Sequence, residues 1–458
     1  MFKKVLVANR GEIAVRIIRT LKEMGIASVA IYSTADKDSL HVQIADEAIS
    51  VGGPKPKDSY LNMKNILSAA LLTGAEAIHP GYGFLSENAL FADMVGEVGI
   101  KWIGPRPETI SLMGNKANAR EEMRRAGVPV IPGSEGFIRD FHEAKAVAER
   151  IGYPLLLKAA AGGGGKGMRF VYAEDELSDK FDDAQNEARS SFGDDHMYIE
   201  KVMTRVRHIE MQLVRDENGH VVYLPERNCS LQRNNQKVLE ESPATGVTTE
   251  MRAELGDIVT RAAQALRYEN TGTIEFLQDR EGKFYFMEMN TRIQVEHPVS
   301  EMVTGIDLIR LQIMIAAGED LPVTQDDVKV QGHSIEVRLT AEQPEKNFSP
   351  SAGTVDFVFL PMGGLGIRID SALFAGDKIQ PFYDSMIGKL IVHGANRPEA
   401  MAKLRRIVNE TVIHGVQTNR NFQKALLDDP QVQRGEFDTR YLENEFLPRW
   451  AESLSIKD

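Results

Sequence analysis

The sequence predicts a multidomain chain of mixed α/β and α+β class, and three observations carry that expectation. Near the N-terminus, short apolar runs alternate with a helix of 3.6-residue period, the opening of a βαβ unit and hence of a parallel, Rossmann-like sheet. In the middle, Thr273-Ile274-Glu275-Phe276-Leu277 and Phe284-Tyr285-Phe286-Met287-Glu288-Met289-Asn290 read as two strands joined through the turn-rich Asp279-Arg280-Glu281-Gly282. In the last third, Ser334-Ile335-Glu336-Val337-Arg338-Leu339-Thr340 alternates polar and apolar residues, as a half-buried strand does. At 458 residues the chain exceeds a single core and divides into roughly two to four units.

The first unit, about 1–115, opens with Val5-Leu6-Val7-Ala8, a helix over about 12–24, and Ser28-Val29-Ala30-Ile31-Tyr32. Along that helix Ile13, Ile17, Leu21 and Met24 make a core stripe, while Glu12, Arg16, Arg19 and Glu23 share the opposite face, which is expected to be solvated. A second unit, about 116–330, starts near Lys116. Its segment 130–203, bounded by Pro129, Pro132 and Gly133, holds a glycine run between two strands and reads as a mobile lid. The rest runs from a strand at His208 through the 273–290 hairpin, which would bring Glu275 close to Glu288, to a helix over about 306–317. The final unit, about 331–447, has Arg338 pointing away from the apolar face of its first strand, and a polar tail closes the chain over 448–458.

Composition excludes several function classes. Lys and Arg total 54 against 66 Asp and Glu, a formal charge of −12, and no basic block or RNA-binding aromatic signature appears, so nucleic acid is not an expected partner. The single cysteine, Cys229, rules out an internal disulfide; it reads either as a reactive thiol or, more often for a lone cysteine, as a buried inert one. No apolar run approaches a membrane span, and the start is too short for a signal sequence, so a cytoplasmic location is expected.

The stretch Glu288-Met289-Asn290-Thr291-Arg292-Ile293-Gln294-Val295-Glu296-His297 concentrates metal, anion and proton chemistry in ten positions. Period two puts Phe284, Phe286, Glu288 and Asn290 on one side of the strand. Two carboxylates and an amide oxygen, Glu275, Glu288 and Asn290, suit a hard divalent cation that leaves positions for phosphates. Taken alone, Glu275 reads more readily as a solvated strand carboxylate. The second concentration is Lys158-Ala159-Ala160-Ala161-Gly162-Gly163-Gly164-Gly165-Lys166-Gly167. It is not a P-loop, since the Lys-Ser/Thr pair is missing. Its bare N–H groups suit closure over phosphates, with Lys158 as a point charge, although a flexible turn would look the same.

These features, with Val7-Ala8-Asn9-Arg10-Gly11-Glu12-Ile13-Ala14, His79-Pro80-Gly81-Tyr82-Gly83-Phe84-Leu85-Ser86-Glu87-Asn88, Arg207-His208-Ile209-Glu210, Gln236-Lys237-Val238 and Tyr383-Asp384-Ser385-Met386-Ile387-Gly388-Lys389-Leu390, resemble the ATP-grasp enzymes and, within them, the biotin carboxylase family over almost the whole chain. The resemblance implies a pre-ATP-grasp N-terminal domain, an ATP-grasp domain with its lid, and a C-terminal biotin carboxylase domain. It also implies that ATP, bicarbonate and Mg²⁺ or Mn²⁺ are used to carboxylate biotin through carboxyphosphate. ATP contacts would fall on Lys116, Lys158, Gly164, Gly165, Glu200, Lys201, Met203, His208, Gln232, Asn235, Glu275 and Glu288, and the metal on Glu275, Glu288 and Asn290. Bicarbonate would meet Lys237, Arg292, Gln294, the backbone at Val295, and Glu296 as general base; biotin would meet Tyr82, Gly83 and Arg338, the last stabilising its enolate. Apart from the resemblance, Lys116 reads as a surface lysine, His208 as part of a satisfied surface network with Glu210 and Gln212 on its strand, and Arg338 as a strand arginine in a surface ion pair.

One departure stands out. The family usually has histidine two residues before the lysine of its Gln-Lys pair, preceded by arginine; here the residues are Asn235 and Asn234. Asparagine cannot carry the charge, so weaker nucleotide affinity is expected. The charged helix face containing Glu12 and Arg16 is assigned to a homodimer contact by the resemblance. There is no Ala-Met-Lys-Met biotin-attachment sequence, and Ala400-Met401-Ala402-Lys403 sits on a helix, so the biotin is expected on a separate biotin carboxyl carrier protein, with carboxyltransferase subunits as further partners. A role in acetyl-CoA carboxylase is favoured over pyruvate or propionyl carboxylases, which also occur with split subunits. Two alternatives differ in class: a carbamoyl-phosphate synthetase, whose duplicated length is missing, and a non-catalytic scaffold, supported only by Asn235.

Overall fold

Strand Lys4–Val7, helix Gly11–Glu23 and strand Ala27–Ser33 form the expected βαβ opening in a computed structural model that describes residues 1–159 and 167–455. Two compact units divide the chain. The first comprises 1–111, 207–275 and 289–458; the second comprises 112–206 and 276–288.

In the first unit, five parallel strands run in the order Glu47–Gly52, Ala27–Ser33, Lys4–Val7, Ala77–His79, Lys101–Trp102. At the centre of the sheet both faces are buried, one under Ile13, Ile17 and Leu21 of the first helix and the other under Ile66, Phe91 and Val95, which is why Val5-Leu6-Val7 reads as an unbroken apolar run, whereas the edge strand Glu47–Gly52 is mostly exposed. Arg10, just ahead of the helix, donates to Asp36 at 2.6 and 2.9 Å and lies 4.0 Å over the ring of Tyr383, so the N-terminal and C-terminal motifs meet.

The same unit holds an antiparallel ladder in the order Arg207–Arg215, Arg227–Arg233, Gln236–Ser242, His333–Thr340, Met386–Gly394, Ile367–Ser371. Leu239, Ile335, Val337, Leu390 and Val392 on one face pack against Met401, Leu404, Ile407 and Val408 of helix Arg397–Glu410. That helix also carries Lys403, whose Nζ is tied to the His393 carbonyl at 2.8 Å. The other face carries Glu240, Glu336, Arg338, Lys389 and Asp370, with Arg338 opposite Lys389 and Lys389 opposite Asp370. Arg338 does point away from the apolar side, but into charge-lined interior beneath helices Gly11–Glu23 and His297–Thr304. The ladder continues into Asn270–Gln278 and Phe284–Asn290, and the unit boundary cuts both strands of this hairpin.

Two expectations change, and one departure gains a structural setting. Glu12 is only 6% exposed, and Arg16 donates to Glu301 at 3.1 Å and Asp307 at 2.9 Å, so of the supposed outer face only Arg19 and Glu23 remain exposed. A helix covered on two sides buries more than its apolar stripe. Residues Leu447–Ser455, read as mostly polar tail, form a helix, and Trp450 packs edge-on against Phe422 with ring centroids 5.4 Å apart. Finally, Asn234 and Asn235 form the two-residue turn between Arg227–Arg233 and Gln236–Ser242, with φ of 49° and 62°. Two successive left-handed residues are what a primed hairpin turn requires, and asparagine is among the residues that favour them.

In the second unit, strands Met168–Val171, Leu155–Ala159 and Met197–Lys201 form an antiparallel sheet, as the apolar flanks of the glycine run predict. Leu155, Leu157, Met197 and Ile199 pack on Ala144 and Ala148 of helix Phe141–Ile151 and on Phe181 and Ala184 of helix Leu177–Phe192. Gly164 and Gly165 lie outside the described residues.

Candidate active site

Alternation along strand Arg207–Arg215 turns His208, Glu210 and Gln212 to one side, toward Thr273 and Glu275 of the neighbouring strand Asn270–Gln278. Arg227 enters this polar layer fully buried and uses all five N–H groups. Nε donates to Glu210, Nη1 to Gln212 Oε1 and Ser300 Oγ at 3.0 Å each, and Nη2 to Thr273 Oγ1 at 3.2 Å and Gln294 Oε1 at 2.9 Å. A guanidinium so saturated acts as a rigid template, and it fixes Gln294, one of the predicted bicarbonate residues, from behind.

Lys237 Nζ reaches three carboxylates: Glu210 Oε2 at 2.6 Å, Glu275 Oε1 at 2.9 Å and Glu296 Oε1 at 2.5 Å. Glu275 Oε1 also accepts from Asn290 Nδ2 at 2.9 Å and Gln294 Nε2 at 2.8 Å, while its Oε2 lies 2.9 Å from His208 Nε2. Arg338 bonds Glu240 through Nε at 2.7 Å and Glu296 Oε2 through Nη2 at 3.1 Å. Arg292 donates through Nε to Glu87 at 2.8 Å and through Nη2 to Asn290 Oδ1 at 3.0 Å. His208, Lys237, Glu275, Asn290, Arg292, Gln294, Glu296 and Arg338 are thus one connected network, from residues far apart in sequence.

The electrostatics split the carboxylates. Burial works against ionising Glu296, but Lys237, Arg338 and Arg227 outweigh it and hold that carboxyl below the usual range. Glu275 goes the same way: burial opposes it, while Lys237 and His208 prevail. Glu210 moves up, because burial and the negative charges of Glu296 and Glu275 exceed the pull of Arg227 and Lys237. Burial, then Glu296, push Glu240 up to about 7 in spite of Arg338.

The remaining predicted residues sit as follows. Tyr82 and Gly83 are in the loop after strand Ala77–His79, where Asn9 Nδ2 donates to the carbonyls of Pro80 at 2.7 Å and Tyr82 at 2.8 Å. Its Gly81 needs to be glycine: φ is +62° and a Cβ would come within 3.0 Å of Asn9. The Val295 carbonyl accepts from Lys389 Nζ at 2.9 Å. Gln232 pairs with Lys237 in the ladder, and Asn235 is the exposed turn residue. In the second unit, Glu288 is half-buried with Lys116 Nζ 3.4 Å from its Oε2. Lys158 is paired with Glu200 rather than standing free, Lys201 Nζ donates to the Tyr153 carbonyl at 2.7 Å, and Met203 follows that strand.

Sequence reasoning missed Arg227, Glu87, Glu240, Glu336 and Lys389. The available signal was polarity on both faces of strands that have apolar neighbours, as in Arg227-Asn228-Cys229-Ser230 and Glu240-Glu241-Ser242, where a solvated strand would alternate. Cys229 itself is wholly buried, and burial raises its thiol well above the usual range. No helix among the described residues is long and apolar enough to cross a membrane.

Comparison with known proteins bears on the whole chain. Residues 1–110 match the family model "Biotin carboxylase, N-terminal domain", 115–324 match "Carbamoyl-phosphate synthase L chain, ATP binding domain", and 336–444 match "Biotin carboxylase C-terminal domain". Biotin carboxylase 1 of Bacillus subtilis (strain 168) is 52% identical over 97% of this chain and 98% of its own. A pyruvate carboxylase subunit of Methanothermobacter thermautotrophicus is 49% identical over 97% of this chain and 90% of its own. Among solved structures, the biotin carboxylase domain dimer of Hydrogenobacter thermophilus 2-oxoglutarate carboxylase, in complex with MgADP, ADP and bicarbonate, superposes with a TM-score of 0.89 at 49% identity, covering 97% of each chain. With family models along its length, full-length relatives near half identity and a matching fold, the chain belongs to the biotin carboxylase family of ATP-grasp carboxylases.

Proposed function

We propose that this protein carboxylates biotin, using ATP and bicarbonate, by way of carboxyphosphate. The observation that carries the reading is Glu296 held between Lys237 and Arg338, a carboxylate base between two cations that an anion can claim. As the site stands, Glu296 is a weak base, because both cations lower its proton affinity. An anion taken up by Lys237 and Arg292 draws Lys237 onto itself, and Glu296 recovers the basicity needed to remove the bicarbonate proton. Gln294 and the Val295 backbone orient that anion, and the planar fork of Arg292 matches it.

The deprotonated bicarbonate attacks the γ-phosphate, giving carboxyphosphate and ADP; its breakdown yields CO₂ and a phosphate that takes the biotin proton. Arg338 then stabilises the ureido enolate, whose nitrogen attacks CO₂, with Tyr82 and Gly83 lining the biotin pocket. For the nucleotide we assign Lys116, Lys158, Gly164, Gly165, Glu200, Lys201, Met203, His208, Gln232 and Asn235, with Glu275 and Glu288 through the metal. The donor set of Glu275, Glu288 and Asn290 is oxygen-only, and Glu275 is held ionised, so it fits Mg²⁺ or Mn²⁺. Bound there, the cation supplies charge neutralisation for the phosphates.

We divide the chain into 1–115, an ATP-grasp domain 116–330 with its lid 130–203, and 331–447. We place the protein in the cytoplasm as a homodimer serving a separate biotin carboxyl carrier protein and carboxyltransferase. The dimeric biotin carboxylase domain from Hydrogenobacter supports the dimer. The downstream reaction we favour is that of acetyl-CoA carboxylase, feeding malonyl-CoA and fatty acid synthesis. The comparable identity to a pyruvate carboxylase subunit supports a second reading, in which pyruvate is the final acceptor. Phosphate release from Mg-ATP and bicarbonate, with and without free biotin, tests the half-reaction: stimulation by biotin that vanishes without bicarbonate is expected, and release indifferent to biotin refutes it. Supplying acetyl-CoA or pyruvate to the reconstituted complex separates the two downstream readings.

A further inference from the structure

Three of the sequence segments quoted above converge on one buried cation that has no role in the chemistry just described. Lys389 has no exposed surface and comes from the Tyr383-to-Leu390 segment. Its Nζ donates to the Val295 carbonyl at 2.9 Å and lies 3.2 Å from Glu12 Oε1, with Asp370 Oδ2 at 3.9 Å. Glu12, from the N-terminal segment, in turn accepts the hydroxyl of Tyr82, from the His79-to-Asn88 segment, and the Lys389 ammonium sits 5.9 Å above the Tyr82 ring.

We propose that Lys389 is a positioning residue that fixes the bicarbonate loop at Val295 and, through Glu12, the biotin wall at Tyr82, so that both substrates are set by a single buried ammonium. This rests on the functional reading above, which places bicarbonate at Val295 and biotin at Tyr82.

Burying an ammonium is expensive, and an apolar side chain of the same length would fill this space at less cost, so stability alone does not explain a lysine here. Its hydrogen-bond geometry does. The Val295–Glu296 peptide is trans, so N–H and C=O point in opposite directions, and holding the Val295 carbonyl also sets the direction of the Glu296 N–H beside the proposed base. On the other side, Glu12 Oε1 is shared between an ammonium and a phenol, so a displacement of the Tyr82 hydroxyl is transmitted to Lys389 through one atom. Glu12 Oε2 has no hydrogen-bond partner among the described residues, which leaves Oε1 as the hydrogen-bonded link beside the direct contact of the ammonium with the ring.

Steady-state kinetics of full-length K389M and Y82F, each varied separately in bicarbonate, free biotin and Mg-ATP, test this. K389M is expected to raise KM for bicarbonate and for biotin together by about ten-fold, a usual size for coupling between sites, with KM for ATP within about two-fold. Y82F removes only a hydroxyl on the biotin side, and a rise in its bicarbonate KM of about three-fold or more is expected. An ATP KM that climbs in step in K389M, or an unchanged bicarbonate KM in Y82F, overturns the proposal. If K389M does not fold, Y82F decides. Wild-type protein assayed in parallel separates the two levels: absence of biotin- and bicarbonate-dependent turnover there defeats the functional reading itself, before any variant is compared.

Discussion

Glu240 and Glu336 stand directly opposite one another across the antiparallel ladder, and neither exposes any surface. Among the described residues, both oxygens of Glu336 and one of Glu240 lack hydrogen-bond partners. Two carboxyls so placed cannot both ionise cheaply: burial is the main cause of the upward shift in each, with the charge of Glu240 raising Glu336 further and that of Glu296 raising Glu240.

A pH signature follows. Glu240 has a folded-state value of about 7 against 4.5 unfolded, so the native state holds the proton more tightly. The stability this confers is complete below pH 4.5 and is lost as pH rises through 7. Glu240→Gln keeps an acceptor for Arg338 and removes the titration. Its thermal midpoint is expected to decline less than wild type between about pH 5 and 8. Parallel declines in the two proteins would show that Glu240 does not titrate in that window.

Arg338→Ala leaves ATP binding nearly intact, since the Arg338 side chain is bonded to Glu240 and Glu296, neither of them assigned to the nucleotide, and removes the cation proposed for the biotin enolate. A drop in kcat of about 10²–10³ is expected, with KM for ATP within about three-fold, in steady-state carboxylation of free biotin. A large loss of ATP affinity would contradict the role.

Glu288→Ala deletes a half-buried carboxylate and so spares the core. The Mg²⁺ concentration for half-maximal turnover is expected to rise about ten-fold, read from a metal titration at fixed ATP. Turnover that is normal at ordinary Mg²⁺ removes Glu288 from the metal set.

At Asn235 the backbone predicts more than the side chain does. Asn235→Gly should leave the thermal midpoint unchanged or raise it slightly, whereas Asn235→His, which restores the family's usual residue, should cost about 1 kcal/mol in the left-handed turn. Denaturant unfolding of both variants checks this; a stabilised histidine variant would mean that the turn readjusts around it.

The strand of Phe284–Asn290 was legible to the residue, because alternation and a polar terminus coincide there. So were the helix after Val7 and the hairpin flanks of the glycine run. What escaped was anything decided by a second covering layer. Period two correctly separated Arg338 from Val337, yet it carries no information on whether the polar side meets water or another helix, and here it meets helix His297–Thr304. Glu12 and Arg16 were misplaced for the same reason: a helix wheel shows one apolar stripe and is silent about ion pairs arriving from residues nearly 300 positions away, as Glu301 and Asp307 do. Arg227 and Lys389 escaped because a buried cation looks, in sequence, like an exposed one. The motif matches located Lys237, Arg292 and Glu296, and only the fold shows that Lys237 holds three carboxylates at once.

The burial of Cys229 has a practical side. It is the chain's one thiol, it has no exposed surface, and burial suppresses its thiolate. A cysteine introduced at an exposed position, Leu365 for example, would therefore be the sole fast-reacting group on the folded protein. Fluorophores or spin labels can be attached at a single chosen point without first engineering the native residue away.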